Sequence, residues 1–327
     1  MPRPLMLGSL VATLALGHGL CAAQPYPAKP VRIIISSAPG GPVDVGMRGM
    51  TDALRQELGQ PVIIENLGAA DGIIAAQTFV RAVADGYTLL HTSAGPISLN
   101  PVIHPKLPYD PQADFTPVAM TGQFNSVMIV NAAVPVSSFR ELLALAKAKP
   151  GTLSWGAAGT NGTSNMYAEW FRHTLGIDFY NVLYKNNLQT LAATASGEVQ
   201  GTLFALGGAT GQAKAGKVKI LAAISEQRLA AMPNLPTIKE EGVDLVIRNW
   251  VGTFARSGTP RDIIERWNRM LSKTIADKTY IQKVLEPLGF EAAAPSGEPV
   301  AAFAQFLTRD KALYVRIKNE AKLKAGE

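Results

Sequence analysis

The segment from Val31 to Leu58 predicts a strand, a glycine-containing loop and a helix, which limits the chain to folds that combine strands and helices. β-Branched residues dominate Val31 to Ile35 and predict a short buried strand. Serine, proline and glycine interrupt it over residues 36–42. We expect Asp44 to cap a helix. The apolar stripe of that helix recurs every three or four residues and comprises Met47, Met50, Leu54 and Leu58.

A helix that begins after a glycine loop is suited to binding an anion. Its first N–H groups have no partner within the helix and carry a partial positive charge. Gly40 and Gly41 have no side chains, so a ligand can approach their backbone closely. The loop matches neither the phosphate-binding P-loop nor the dinucleotide fingerprint. Because such turns are common in α/β proteins, the pattern leaves an anion site and a purely structural turn both open.

The same pattern returns in the second half of the chain. A strand over Leu153–Trp155 is followed by a glycine-rich loop over residues 156–165 and by a helix from Asn165 to Leu175. Another strand, Tyr87–His91, is followed by a loop of small residues that starts at Thr92. Alternating strands and helices predict a parallel sheet, in which ligands bind at the carboxyl ends of strands. Two lobes that present these loops to a shared cleft would explain the repetition.

Other segments give weaker predictions. The proline-rich stretch from Asn100 to Pro117 is expected to be irregular. Two separate strands are expected at Val118–Thr121 and Val127–Asn131, and a largely helical region over Pro260–Lys324.

Composition and motifs argue against several classes of function. The formal charge of +6 is spread along 327 residues without a basic cluster, so no nucleic-acid partner is expected. His91, His104 and His173 lack metal-ligand spacing, and no nucleophile elbow is present. We therefore expect no catalytic residue, no metal site and no cofactor, and an enzyme is the less favoured alternative.

Residues 1–23 have the pattern of a secretory signal peptide, with Arg3 before an apolar stretch and small residues before Gln24. We expect cleavage after Ala23. Lipid attachment at Cys21, the only cysteine in the sequence, is the competing interpretation. Loss of Cys21 with the signal would leave a chain without thiols, which is compatible with an oxidising compartment.

Short motifs in a fixed order provide a further signal. They are Tyr26–Arg32 (YPAKPVR), Ala38–Asp44 (APGGPVD), Leu58–Asn66 (LGQPVIIEN), Ala84–Leu89 (ADGYTL), Leu107–Asp110 (LPYD), Ala146–Gly151 (AKAKPG), Tyr184–Lys185, Ala213–Lys217 (AKAGK) and Leu235–Gly242 (LPTIKEEG). Together they resemble the Bug-type solute-binding receptors of tripartite tricarboxylate transporters, over nearly the whole chain after the signal. Each motif alone is weak, and their order makes the set specific.

The resemblance implies a two-lobed α/β periplasmic binding protein, a type II-like Venus flytrap in which each lobe is a mixed sheet flanked by helices. Lobe 1 would comprise residues 24–125 and 247–327, and lobe 2 residues 126–246. The implied protein is a periplasmic monomer that passes a small organic acid to membrane permease subunits. A periplasmic sensor with the same fold, and a ligand of the amino-acid or nicotinate type, remain alternatives.

The resemblance also implies the ligand-binding residues. From lobe 1 they are Ser37, Ala38, Pro39, Gly40, Gly41, Thr92, Ser93 and Ala94, and from lobe 2 Thr160, Thr163, Ser164, Asn165, Asn186, Phe204 and Ala205. There are three departures from the family pattern: Pro42 replaces a common glycine, Asn165 a frequent histidine, and Leu203–Leu206 a more polar segment. The last change removes a carboxylate that could pair with a ligand ammonium. We therefore expect a carboxylated ligand without an amine: a dicarboxylate, a tricarboxylate or an aromatic carboxylate.

Overall fold

The computed structural model describes residues 26–160, 162–229 and 231–323. The expected signal peptide, with its cleavage site and Cys21, lies outside the described residues. Within those residues, no helix is both long enough and apolar enough to cross a membrane.

The strands and helices alternate along most of the chain. The strands are β1 Val31–Ile35, β2 Val62–Asn66, β3 Thr88–Ser93, β4 Phe115–Asn131, β5 Leu153–Ala158, β6 Phe179–Tyr184, β7 Gly201–Ala205, β8 Val218–Ala223, β9 Arg248–Arg256 and β10 Phe290–Glu291. The helices are α1 Pro42–Leu58, α2 Ile73–Val80, α3 Asn100–Ile103, α4 Pro111–Asp114, α5 Phe139–Ala148, α6 Thr163–Leu175, α7 Asn187–Ser196, α8 Leu206–Lys214, α9 Arg261–Ile275, α10 Lys278–Tyr280, α11 Glu286–Leu288 and α12 Val300–Glu320. A 3₁₀ turn covers Ala70–Gly72, and π-helical turns cover Gly95–Leu99 and Ile281–Leu285.

The sheet is mixed and has the order β2-β1-β3-β9-β4-β7-β5-β6, with β8 and β10 also paired to β4. Strand β1 is parallel to β2 and β3, and β5 is parallel to β6 and β7. Antiparallel strands β4 and β9 lie between these two parallel groups. The mixed α/β fold with helices around the strands is therefore confirmed, and the parallel arrangement holds only within each group.

Strand β4 is continuous and connects the two groups. Its residues 115–125 pair with β9, and its residues 126–131 pair with β7 and β8. The prediction of two separate strands was wrong because Pro117 and Gly122 look like breaks in the sequence. The pairing with β9 instead changes register beside each of them, as at a β-bulge, and the strand continues. We call β1, β2, β3, β9, β10 and residues 115–125 the first sheet half, and β5–β8 with residues 126–131 the second sheet half.

Several predicted boundaries also change. Helix α1 begins at Pro42 rather than at Asp44, since proline has no N–H to lose and is favoured at the first helical position. Strand β5 runs on to Ala158, and α6 already begins at Thr163. The stretch expected to be irregular contains α3, α4 and the start of β4. The apolar stripe of α1 is confirmed, because its four residues are all buried.

Helix α12 connects the two sheet halves. The Tyr167 hydroxyl of α6 donates to the Tyr314 hydroxyl of α12 at 3.0 Å. On the other side, α12 places Asp310 against Trp250 of β9, whose indole N–H donates to Oδ2 at 2.8 Å. Helix α12 therefore contacts both α6, which follows β5 of the second sheet half, and β9 of the first sheet half.

Candidate functional site

A network around Asp44 holds the loop after β1, residues 36–41, which we call the first loop. The Asp44 carboxylate accepts hydrogen bonds from the Gly40 N–H at 2.9 Å and from Asn66 Nδ2 at 2.8 Å. Arg48 donates to the same carboxylate from the next helical turn, at 2.9 Å. Asn66 Nδ2 also donates to the Ser37 carbonyl at 3.1 Å. Asp44 thus fixes the loop from inside, where it is only 1% exposed.

The predicted helix cap is therefore corrected in its details. Gly41 is the N-cap residue and supplies no side-chain cap, while Asp44 is the third helical residue and reaches back to Gly40. Burial raises the pKa of Asp44, but hydrogen bonds from Arg48, Gly40 and Asn66 outweigh it and lower the pKa overall. Asp44 is therefore ionised at neutral pH. The Asp44 carboxylate already accepts the hydrogen bond of the Gly40 N–H, which the sequence analysis had proposed as a donor to the ligand.

The end of β3 lies beside the first loop. The hydroxyls of Ser36 and Thr92 are 2.6 Å apart, and Thr92 is fully buried. The sequence predicted a loop from Thr92 onward, but Thr92 and Ser93 are still in β3 because the antiparallel strand β9 extends the pairing to both. Ala94 then leads into the π-helical turn. Thr92 is thus a residue that positions Ser36, and Ser93 and Ala94 mark the carboxyl end of the strand.

The loop after β5 contains Gly159, Thr160 and Gly162, and we call it the second loop. It leads into α6 in the way the first loop leads into α1. Gly162 is the N-cap of α6 and, like Gly41, gives no side-chain cap. The Ser164 hydroxyl accepts from the Ala158 N–H at 2.7 Å. The Asn165 amide donates to the Thr160 carbonyl at 2.7 Å. The side chains of Ser164 and Asn165 therefore shape the second loop, while their backbone N–H groups lie in the uncapped first turn, together with that of Thr163.

A third segment, residues 67–72, contacts both loops, and we call it the bridging loop. A Cβ atom on Gly68 would lie 2.5 Å from the Ala38 nitrogen, so this glycine packs directly on the first loop. A Cβ on Gly72 would lie 3.2 Å from the Ser36 Cβ. On the opposite side, a Cβ on Gly159 would lie only 2.8 Å from Asp71 Oδ1. The bridging loop thus brings the first loop, the end of β3 and the second loop into one site.

Asp71 is the site residue that the sequence reasoning missed. Its backbone is left-handed, with φ of 50°, a conformation that few residues other than glycine, asparagine and aspartate adopt readily. Desolvation raises the pKa of Asp71, and the attraction of the nearby His104 opposes this rise. The signal available in the sequence was one acidic residue in the short Gly68–Gly72 segment. Its position beside Gly159 depends on a contact between the two sheet halves that no local pattern reports.

The remaining predicted residues have other contacts. Asn186 caps α7, and its side-chain oxygen accepts from the Gln189 N–H at 3.0 Å. Phe204 is 9% exposed and belongs to an apolar cluster with Val127 and Leu191. Ala205 ends β7 and is the N-cap residue of α8. Pro39 is exposed on the first loop between Ala38 and Gly40.

The combined geometry suits a small anion. Helices α1 and α6 each follow a parallel strand at its carboxyl end, and each starts with a glycine that leaves the first-turn N–H groups without a side-chain acceptor. Such N-termini attract negative charge. Asp71 adds one acceptor beside these donors.

This chain is similar to several known proteins. A family model described as "Tripartite tricarboxylate transporter family receptor" matches residues 47–318. The protein BugT of Bordetella pertussis is 28% identical over 279 residues, which cover 85% of this chain and 85% of that protein.

Two solved structures show the same overall fold. R. palustris Rpa4515, solved with adipate, is 26% identical to this chain, with a TM-score of 0.83. The alignment covers 91% of this chain and 99% of the Rpa4515 chain. MatC (Rpa3494) from Rhodopseudomonas palustris, solved with bound malate, is 27% identical to this chain, with a TM-score of 0.80. The alignment covers 89% of this chain and 99% of the MatC chain.

Proposed function

Because this chain belongs to the family of tripartite tricarboxylate transporter receptors, we propose that it captures a small carboxylated metabolite between two lobes and delivers it to a membrane permease. The proposed lobes are residues 24–125 with 247–327, and residues 126–246. This division is supported by the change of pairing partners within β4 at residues 125 and 126. The chain would act in the periplasm, as a monomer, after removal of residues 1–23.

One observation carries the proposal: uncapped glycine N-termini of α1 and α6 stand on the two sides of the bridging loop. A carboxylate between these two helix N-termini would accept hydrogen bonds from backbone N–H groups of both lobes. Ligand contacts with both lobes favour the closed state to the extent that the ligand binds this state more tightly than the open one. Closure also removes water, which strengthens the hydrogen bonds to the carboxylate.

For the ligand we propose a dicarboxylate, a tricarboxylate or an aromatic carboxylate. The departure of Leu203–Leu206 from the family pattern supports an acid without an amine, since this apolar segment offers no carboxylate to pair with an ammonium group. The adipate and malate bound by the two solved relatives are small dicarboxylates. Asp71 supports the second candidate, an amino-acid ligand, because a carboxylate at the site could pair with an ammonium.

A ligand screen tests the proposal. The chain from residue 24 onward should be heated with organic acids, amino acids, nicotinate and sugars, since a ligand that binds only the folded state raises the apparent melting temperature. We expect a concentration-dependent rise with one class of acid and none with sugars. If no acid raises the melting temperature and calorimetry detects no binding, the proposed carboxylate receptor is contradicted.

Delivery to a permease must be distinguished from sensing. A deletion strain should lose uptake of the acid found in the screen while the acid still induces its response genes. Normal uptake with lost induction would instead assign the chain to a signalling system. Turnover of a small acid by the purified chain would favour an enzyme.

A further inference from the structure

We propose that Asp71 is a specificity residue, which selects carboxylated ligands that present a hydroxyl or ammonium group to it and rejects ligands that present a second carboxylate there. The inference rests on the proposed receptor function and goes beyond it, because it names a chemical group of the ligand. It is carried by the place of Asp71, where three segments of the candidate site meet.

The contacts of the bridging loop fix that place. Gly72, the next residue, lies against Ser36 of the first loop and Pro96 beyond the end of β3. The Asp71 carbonyl accepts from Asn100 Nδ2 at 3.2 Å, and Asn100 is fully buried. The backbone of Asp71 is therefore anchored in the first sheet half, while its carboxyl oxygen extends to the second loop at Gly159.

The chemistry of a carboxylate decides what it selects. An ionised carboxylate only accepts hydrogen bonds, so a ligand must offer it an O–H or N–H group. A second ligand carboxylate at this position would meet a like charge, and the two would repel. Asp71 is exposed in this structure, so its carboxylate is free to meet a ligand group. A ligand hydroxyl or ammonium group can donate a hydrogen bond to the Asp71 carboxylate, whereas a methylene group at the same place cannot.

A role of Asp71 in lobe closure alone would affect ligand affinities differently from a role in selectivity. If Asp71 only helped the lobes to close, removing its charge would change the affinities for all acids by the same factor. A selective residue instead changes the ratio between two acids that differ in one group. The ratio therefore separates the two roles.

The test uses matched acids and calorimetric titration of the chain from residue 24 onward. Succinate, malate and aspartate share a four-carbon skeleton and differ at one carbon, and tricarballylate and citrate differ by one hydroxyl. The variants are Asp71→Asn, which removes the charge in a residue that tolerates the left-handed backbone, and Asp71→Gly, which tolerates it without cost. Asp52→Asn is the control, because it removes one exposed carboxylate near the middle of α1, about 15 Å along the helix from its N-terminus.

We expect the parent chain and Asp52→Asn to bind malate, aspartate or citrate more tightly than the matched acid without the donor, by about tenfold to a hundredfold. In Asp71→Asn and Asp71→Gly that preference should fall by at least about tenfold. If the parent binds one acid of a pair and both Asp71 variants keep its preference within a factor of about two, the inference is overturned and the receptor proposal stands. If the parent binds none of the five acids, the inference is overturned, whereas the receptor proposal is contradicted only if no acid in the ligand screen binds either.

Discussion

The backbone N–H of Gly40 donates a 2.9 Å hydrogen bond to the Asp44 carboxylate, four residues further along the chain. This bond turns the apparent anion-binding glycine into part of the scaffold that holds the first loop. The same carboxylate accepts from Asn66 at the end of β2, so one buried charge ties three segments together.

Replacing Asp44 should therefore destabilise the chain. Asp44→Ala leaves the Gly40 N–H without its acceptor and removes one of the two acceptors of the Asn66 amide. We expect the free energy of unfolding to fall by about 1–3 kcal/mol in urea denaturation. Asp52→Ala, on the exposed side of the same helix, should stay within about 0.5 kcal/mol of the parent. Equal stability of both variants would contradict the role given to Asp44.

Gly68 should control the shape of the first loop. A methyl group there would lie 2.5 Å from the backbone of Ser37 and Ala38, which must move to admit it. We expect Gly68→Ala to weaken binding of the best acid from the screen by at least about tenfold in calorimetry.

Gly211 offers the matched control for this substitution. It lies in α8, and a Cβ there would meet no atom within 4 Å. Gly211→Ala should therefore leave affinity unchanged and stabilise the chain by up to about 1 kcal/mol. Unchanged affinity in Gly68→Ala as well would show that the first loop does not hold the ligand.

Asp310 should make stability depend on pH. Burial raises its pKa to about 6, and the Ser98 hydroxyl and the Trp250 N–H only partly oppose this. The folded chain then holds this proton more tightly than the unfolded chain, so Asp310 lowers the free energy of unfolding as pH rises from about 4 to 6. Asp310→Asn keeps an acceptor for Trp250 without the charge.

The effect appears as a difference between parent and variant. Relative to the parent, Asp310→Asn should gain on the order of 2 kcal/mol in free energy of unfolding between pH 4.5 and pH 7.5. Urea denaturation at several pH values measures it. A constant difference across this range would show that Asp310 is ionised in the folded chain throughout.

His91 should stay neutral in the folded chain. Burial lowers its pKa to about 3, against the attraction of Asp44, and its Nδ1 lies 3.0 Å from the Thr253 hydroxyl. Since the unfolded chain takes up this proton below about pH 6.5, His91 contributes stability that is lost as pH falls from there towards 3. NMR should show no titration of the His91 ring between pH 5 and 8, with its signals assigned from His91→Gln. A midpoint near pH 6.5 would contradict its burial.

The predictable parts of the fold are those determined by local sequence. Strand β1 and the apolar stripe of α1 follow from β-branched residues and from spacings of three and four, and the structure confirms both. The order of short motifs indicated the family, which the family model confirms.

Features that depend on pairing between distant segments could not be predicted. Strand β9 was missed altogether, because Arg248, Asn249 and Gly252 interrupt its alternation, yet its neighbours β3 and β4 hold it at the centre of the sheet. Thr92 was assigned to a loop for the same reason, since only its pairing with Gly252 of β9 shows that it is in the strand.

In the candidate site too, features set by local sequence could be predicted and contacts between distant segments could not. Both glycine loops could be found from their composition, and the resemblance named residues on each. The sequence could not tell that the side chains of Thr92, Ser164 and Asn165 are used to build the loops. Nor could it place Asp71 against Gly159, because the two are 88 residues apart in the chain.

In the proposed function, one carboxylate ligand binds between the first and second loops. An NMR titration of the ¹⁵N-labelled, deuterated chain from residue 24 onward with the best acid from the screen tests it most directly. We predict that the amide signals of Ala38, Ala94, Thr163 and Ser164 shift together and fit one dissociation constant. Shifts confined to one of the two loops, or to residues outside both, would contradict the claim.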